Sequence, residues 1–247
     1  MVMPLFDDGP AARSMRPYVT YGLIAANVII FFCTAKLDTD AENAFVNAYG
    51  MTPALVAGHG VSGGAFSPWL TLLTHQFLHA DILHLLSNMI FLWVFGDNIE
   101  DAMGQLRFLA FYLLCGVLGG LAQMASDTSS TIPMVGASGA VSGVIAAYLL
   151  VRPCAKVGVF YMLIVVQIPA YWVAGIFMFA QLLAVAGGTD DGIGYWSHLG
   201  GLAAGAMLFP LMRYRHVPLF ECIERSEGPP PPPMPDASHL RVRRSAD

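Results

Sequence analysis

Charge is what this chain has least of. Asp, Glu, Lys and Arg make up only 12% of its 247 residues, against 56% hydrophobic residues, and the mean hydropathy is +0.60. Soluble domains carry about a quarter charged residues, so this balance excludes an ordinary soluble domain and points to a multi-pass membrane protein. The twelve Lys and Arg form no basic stripe, which excludes a nucleic-acid-binding surface. The net charge of −5 carries little weight, because the carboxylates lie mostly in loops and in the tail. Cysteine is scarce too. Cys33, Cys115, Cys154 and Cys222 stand far apart, with neither metal-ligand nor redox spacing, and read as unpaired thiols. H-E-x-x-H is missing, and the stretch Gly136-Ala137-Ser138-Gly139-Ala140 is not G-x-S-x-G, so neither the zinc-protease helix nor, at that serine, the soluble hydrolase elbow is indicated.

What is present is a series of apolar runs near the ~20 residues that a hydrocarbon core requires. Six are drawn: Val19 to Ala35, Ile82 to Phe95, Phe108 to Met124, Ser138 to Val151, Val157 to Val185 and Ile193 to Met212. The first follows Arg13 and Arg16 but lacks a small-x-small cleavage site, so it reads as a helix rather than a removable signal. Pro169 either kinks the long fifth run or marks its true start. The expected fold is an all-α membrane bundle of six transmembrane helices. Residues 1–16 form a short N-terminal segment, residues 17–212 the membrane domain, and residues 213–247 a disordered tail rich in proline and basic residues. Of the Lys and Arg, only Lys36 falls in an odd-numbered loop, so the positive-inside rule puts both termini in the cytoplasm.

That orientation levels three polar side chains. Runs two, four and six all travel from outside to inside, with His84, Ser138 and His198 near their starts. At 1.5 Å per residue they share roughly one depth, within ~10 Å of the outer end. Ionisable groups at such depth are costly and suggest function, and Ser with His is the minimum for nucleophilic catalysis. Gly139 and Gly143 make a small-xxx-small step on run four, and Gly201 and Gly205 another on run six, which lets the two helix backbones approach closely. His198, Gly201 and Gly205 share one helical face, so His198 points toward the helix of Ser138. Gly136 suits a turn just before it.

Plainer readings stand beside each. Ser138 fits a helix N-cap, Ser142 is a competing nucleophile one turn on, and His198 suits a bond to a backbone carbonyl between helices. Asp190 and Asp191 are available to orient the imidazole but lack convincing helical spacing. His84 and Asn88, four apart on one face, suit donation to an oxyanion or simple interhelical bonding. His75, His79 and His84 raise a metal alternative, which the lack of a suitably spaced carboxylate opposes.

Taken in order, these residues resemble the rhomboid family of intramembrane serine proteases over about Arg16 to Met212. The resemblance rests on Phe77-Leu78-His79, His84-Leu85-Leu86-Ser87-Asn88-Met89, Phe95-Gly96-Asp97-Asn98-Ile99-Glu100, Gly104, Arg107-Phe108, Gly136-Ala137-Ser138-Gly139, and His198 with Gly201 and Gly205. It implies Ser138 as nucleophile, His198 as base and acid, and an oxyanion hole from His84, Asn88 and the Ser138 backbone N–H. It implies no cofactor, no metal and no catalytic aspartate. It further implies membrane-protein substrates, single-span ones included, that reach the site from the bilayer past run five, where Tyr171, Trp172 and Phe177 sit. The setting implied is a cell membrane of bacterial inner-membrane type. Two departures stand out. A Trp-Arg pair of many relatives is Trp69-Leu70 here, and an aromatic residue one turn below the nucleophile is Ser142, which leaves the support of the His198 ring open.

The rivals are a non-catalytic relative that binds transmembrane segments, which the intact Ser138 and His198 oppose, and a small-molecule transporter, which the lack of repeated halves opposes. In the tail, five prolines from Pro229 to Pro233 suit a spacer or a ligand for a cytoplasmic proline-recognising partner.

Overall fold

Each apolar run needs partners for its backbone N–H and C=O groups, and in most of them helix formation supplies these within the segment. The computed structural model describes residues 3–7, 15–60, 67–161, 164–189 and 192–222. Its helices are α1 (Tyr18–Thr34), α2 (Thr39–Tyr49), the single turns α3 (Pro53–Val56) and α4 (Thr71–Thr74), then α5 (Ile82–Met103), α6 (Gln105–Ser126), α7 (Ser138–Val151), α8 (Ala170–Ala186) and α9 (Tyr195–Met212). Strands β1 (Met3–Asp7), β2 (Lys156–Tyr161) and β3 (Ile164–Pro169) complete the described elements. The helices α5 and α6, 22 residues each, are long and apolar enough to cross a membrane, and α1, α7 and α8 are shorter apolar helices.

The helices α1, α5, α6, α7, α8 and α9 fall on the six expected runs, with α5 extended beyond its run and α8 confined to the second half of the fifth. The apolar pattern of the second run stops at Phe95, short of Asp97 and Glu100. The helix instead continues to Met103, with Asp97 and Glu100 buried. The Glu100 carboxylate accepts from Val19 N at 3.0 Å, Thr20 N at 2.8 Å and Thr20 Oγ1 at 2.7 Å. It thereby satisfies the free N–H groups at the start of α1, which has no side-chain cap of its own. Such charge-assisted bonds are worth roughly 1.5–3 kcal/mol each, which accounts for a carboxylate inside an apolar bundle.

The core lies among α5, α6, α7 and α9, around Phe95, Phe108, Phe111, Tyr112, Tyr148 and Phe209, all almost wholly inaccessible. The glycine steps meet as expected. A Cβ at Gly201 would run into the Gly139 carbonyl oxygen, and one at Gly205 would come within 2.6 Å of the Gly143 Cα. On the other side of α9, a Cβ at Gly200 would collide with Ala122 of α6. Backbone therefore packs on backbone, and α9 is wedged between α6 and α7.

Three expectations need correction. The bundle is not all-α: β1, β2 and β3 form an antiparallel sheet, with β2 central. The stretch from Val157 onward is apolar but rich in β-branched residues, and a continuous apolar run does not distinguish a buried strand from a helix. Pro169 is the N-cap of α8, so it marks the true start of the fifth helix. Cys154 and Cys222, expected unpaired, form a disulfide with their Cα atoms 5.1 Å apart, because the chain after α9 folds back onto the loop after α7. That return also reaches into the tail. Tyr214 N donates to Ala102 O, Phe220 N to Leu150 O and Glu221 N to Val151 O, so residues 213–222 pack on the bundle, while 223–247 lie outside the described residues.

Candidate active site

The N-termini of α5, α7 and α9 meet at the end of the bundle opposite the sheet, and each brings one expected side chain. The segment leading into α7 is pinned on two sides. Met51 and Met134 exchange backbone hydrogen bonds of 3.0 and 2.8 Å, and Gly136 N donates to His75 O at 2.9 Å. Gly136 has φ +130, a conformation that other residues rarely adopt, and a Cβ there would meet His84 Cε1 at 2.7 Å and Nε2 at 2.8 Å. The same Cβ would stand 3.7 Å from Ser138 Oγ, so the His84 ring and the Ser138 hydroxyl border one small space.

Ser138 is not the N-cap. Ala137 holds that position, without a side-chain capping bond, and Ser138 opens the helix. Its hydroxyl lies 2.8 Å from His198 Nε2. Its backbone N–H belongs to the first helical turn, where N–H groups have no carbonyl partner within the helix. Ser142, the competing hydroxyl, is buried, and its Oγ has no hydrogen-bond partner.

His84 stands in the first turn of α5, whose N-cap Asp81 accepts from His84 N at 2.8 Å. Asn88 is buried one turn further along and donates from Nδ2 to the His84 carbonyl at 3.1 Å, which leaves its second N–H for another acceptor. The His79 ring stands 5.1 Å from that of His84 at a steep angle. His75 is buried, with Nδ1 bonded to the Thr71 carbonyl at 2.8 Å. Among the described residues, no three His, Cys, Asp or Glu side chains converge as a metal ion would require. Asp190 and Asp191 lie outside the described residues.

Gln181, on α8, is a neighbour that the sequence reading passed over. Its Oε1 lies 2.7 Å from His198 Nδ1, so both imidazole nitrogens are engaged. Phe177, one turn earlier, places its ring 5.8 Å from the imidazole, and Tyr195 comes edge-on at 6.4 Å. The His198 ring, left without an aromatic at Ser142, is thus held by α8. The signal was available: Gln181 is an amide within an otherwise apolar run, the same kind of anomaly that singled out His198. Tyr171 and Trp172 point outward and are largely exposed.

A serine hydroxyl bonded to a histidine, beside free helix N–H groups and a second imidazole, has the parts of a nucleophile, its base and donors for a developing anion. Comparison with known proteins bears on the same region. The chain is 33% identical over 136 residues to the rhomboid protease GluP of Bacillus subtilis, covering 55% of this chain and 25% of that protein. It is 29% identical over 143 residues to the human mitochondrial presenilin-associated rhomboid-like protein, covering 57% of this chain and 35% of that one. It is 27% identical over 172 residues to the putative rhomboid protease YdcA of Bacillus subtilis, at 70% and 76% coverage. The chain therefore spans only a quarter to a third of the first two relatives. The family model described as Rhomboid domain matches residues 67–215, more than half of the chain and every helix that contributes to the site, and the chain belongs to the rhomboid family.

Proposed function

We propose that this protein is an intramembrane serine endopeptidase that cleaves transmembrane segments of membrane proteins through an acyl-enzyme on Ser138. The observation that carries this reading is the 2.8 Å contact between Ser138 Oγ and His198 Nε2. On this reading the six long helices are six spans of a multi-pass protein in a cell membrane of bacterial inner-membrane type. Both termini face the cytoplasm and the site lies near the outer face, in keeping with the distribution of arginine.

The chemistry follows from the parts. A substrate helix unwinds locally in the bilayer and presents a carbonyl to Ser138 Oγ. His198 Nε2 takes the hydroxyl proton as the C–O bond forms, and the carbonyl oxygen gains negative charge. The Ser138 N–H, His84 and the second N–H of Asn88 are the donors for that oxyanion. The imidazolium then protonates the leaving nitrogen as the C–N bond breaks. Water from the outer face attacks the ester, with His198 again as base, and releases the second fragment. Each step is completed by groups of the chain and water, without a metal or cofactor. Small residues near the scissile bond suit such a substrate, because they let a helix open.

The test is purified protein in detergent with a single-span reporter. Cleavage is expected, with a loss of at least about a thousandfold in both Ser138→Ala and His198→Ala and no effect of EDTA. Cutting that survives Ser138→Ala would overturn the mechanism. Binding of the reporter without cleavage by the unaltered protein would favour a non-catalytic role.

A further inference from the structure

Ser138 and His198 make a two-residue site only if the imidazole carries its proton on the correct nitrogen. To accept from Ser138, Nε2 must be bare, so the ring hydrogen must reside on Nδ1. Free imidazole populates both tautomers, and the partner of the other nitrogen decides which prevails. In serine proteases with three-residue sites a carboxylate fills that role. No carboxylate is placed there among the described residues, and Nδ1 faces Gln181 Oε1 at 2.7 Å.

The amide could in principle face the ring with either of its ends, and a backbone group decides between them. Gln181 Nε2 donates to the Phe177 carbonyl at 3.3 Å. Turning the amide over would set its oxygen against that carbonyl oxygen, two acceptors in contact, and would present an N–H to Nδ1. The observed orientation therefore requires Nδ1–H and leaves Nε2 free to accept. Gln181 is only 7% exposed, and Ala170, Val173 and Ala174 are the other buried residues of α8 among those described. Phe177 and Gln181, four apart on one helical face, are what α8 presents to the imidazole. Among the described residues, the other titratable side chains facing His198 are His84 of α5 and Tyr195 of its own helix.

We propose that Gln181 is a positioning residue which, through its bond to His198 Nδ1, fixes the imidazole in the tautomer that can take the proton of Ser138. The inference rests on the protease reading above and adds to it a third member carried by a different helix. It also ties the readiness of the base to the seating of α8, because an outward displacement of a couple of ångströms would part Oε1 from Nδ1.

The experiment compares Gln181→Met, which keeps bulk and removes the acceptor, with Gln181→Glu, which keeps an acceptor. Gln181→Met is expected to lower kcat for the single-span reporter roughly tenfold, as the loss of one buried hydrogen bond predicts, with KM nearly unchanged. Gln181→Glu is expected to retain activity, with the acidic limb of its pH profile moved to higher pH, because a carboxylate favours the imidazolium. Nitrogen-15 shifts of labelled His198 give a readout that does not depend on turnover: an Nδ1–H tautomer in the unaltered protein, and a mixed or reversed population in Gln181→Met. Unchanged kcat and unchanged shifts in Gln181→Met would overturn the inference while leaving the protease reading intact. Equal losses in Met and Glu with an unmoved pH profile would reduce Gln181 to packing. Failure of the unaltered protein to cleave, with the shifts as expected, would count against the protease reading instead.

Discussion

Two hydroxyls one helical turn apart show how residue-scale geometry separates a reactive group from a buried one. Ser138 shares a hydrogen bond with His198 at the mouth of α7, while Ser142 lies deeper with an unpartnered Oγ. Removing a buried hydroxyl that bonds nothing is close to neutral or slightly stabilising, so Ser142→Ala is expected to keep reporter cleavage within about twofold. Asn88 behaves differently on the proposed mechanism. Its free N–H has most to do when negative charge develops on the substrate carbonyl, so Asn88→Ala is expected to cost about 10²–10³ in kcat with little change in KM. Steady-state kinetics of the two variants distinguish these outcomes, and a larger loss in Ser142→Ala than in Asn88→Ala would reverse the assignment. At this scale Ser138, His198, His84 and Asn88 were legible because polar side chains at bilayer depth are conspicuous. Gln181 carries the same signal but became meaningful only once α8 was folded against α9.

The elements owe their positions to contacts between backbones. The helix α9 touches α7 through Gly201 against Gly139 and Gly205 against Gly143, and that approach sets the separation of Ser138 from His198. A valine at Gly205 has no room, and overpacking of this kind costs roughly 1–3 kcal/mol. Gly205→Val is expected to lower the melting temperature and to reduce cleavage by pushing the two helices apart. Gly22→Ala on α1, where an added Cβ meets nothing within 4 Å, serves as the control and is expected to leave both unchanged; equal behaviour of the two variants would contradict the packing argument. The glycine steps were readable from spacing alone. The sheet was not, because Lys156–Tyr161 and Ile164–Pro169 are apolar runs that hydropathy scores like a helix, and β1 pairs with β2 from more than 140 residues away. The far end of α5 was obscured for a different reason. The burial of Asp97 and Glu100 depends on partners in α1 and at neighbouring positions that no local pattern announces.

For the molecule as a whole, one end is built for anchorage and the other for the site. Strands, the Cys154–Cys222 bridge and residues 213–222 gather at the first, while the N-termini of α5, α7 and α9 converge at the second. The bundle and the order of its helices could be anticipated because each run is long, apolar and punctuated by proline, glycine or charge. The return of the chain after α9 could not, since it rests on scattered long-range contacts: single backbone hydrogen bonds, the packing of Val217 and Leu219 on the core, Arg107 over Tyr214 and one pair of sulfurs. What joins the two ends is the claim that this scaffold exists to bring one serine hydroxyl to one imidazole. A fluorophosphonate probe followed by peptide mapping tests that claim most directly, because phosphonylation requires an activated hydroxyl and no knowledge of the natural substrate. The account predicts a single adduct on Ser138, absent in His198→Ala. An adduct on Ser142, or labelling of Ser138 that persists undiminished without His198, would contradict it.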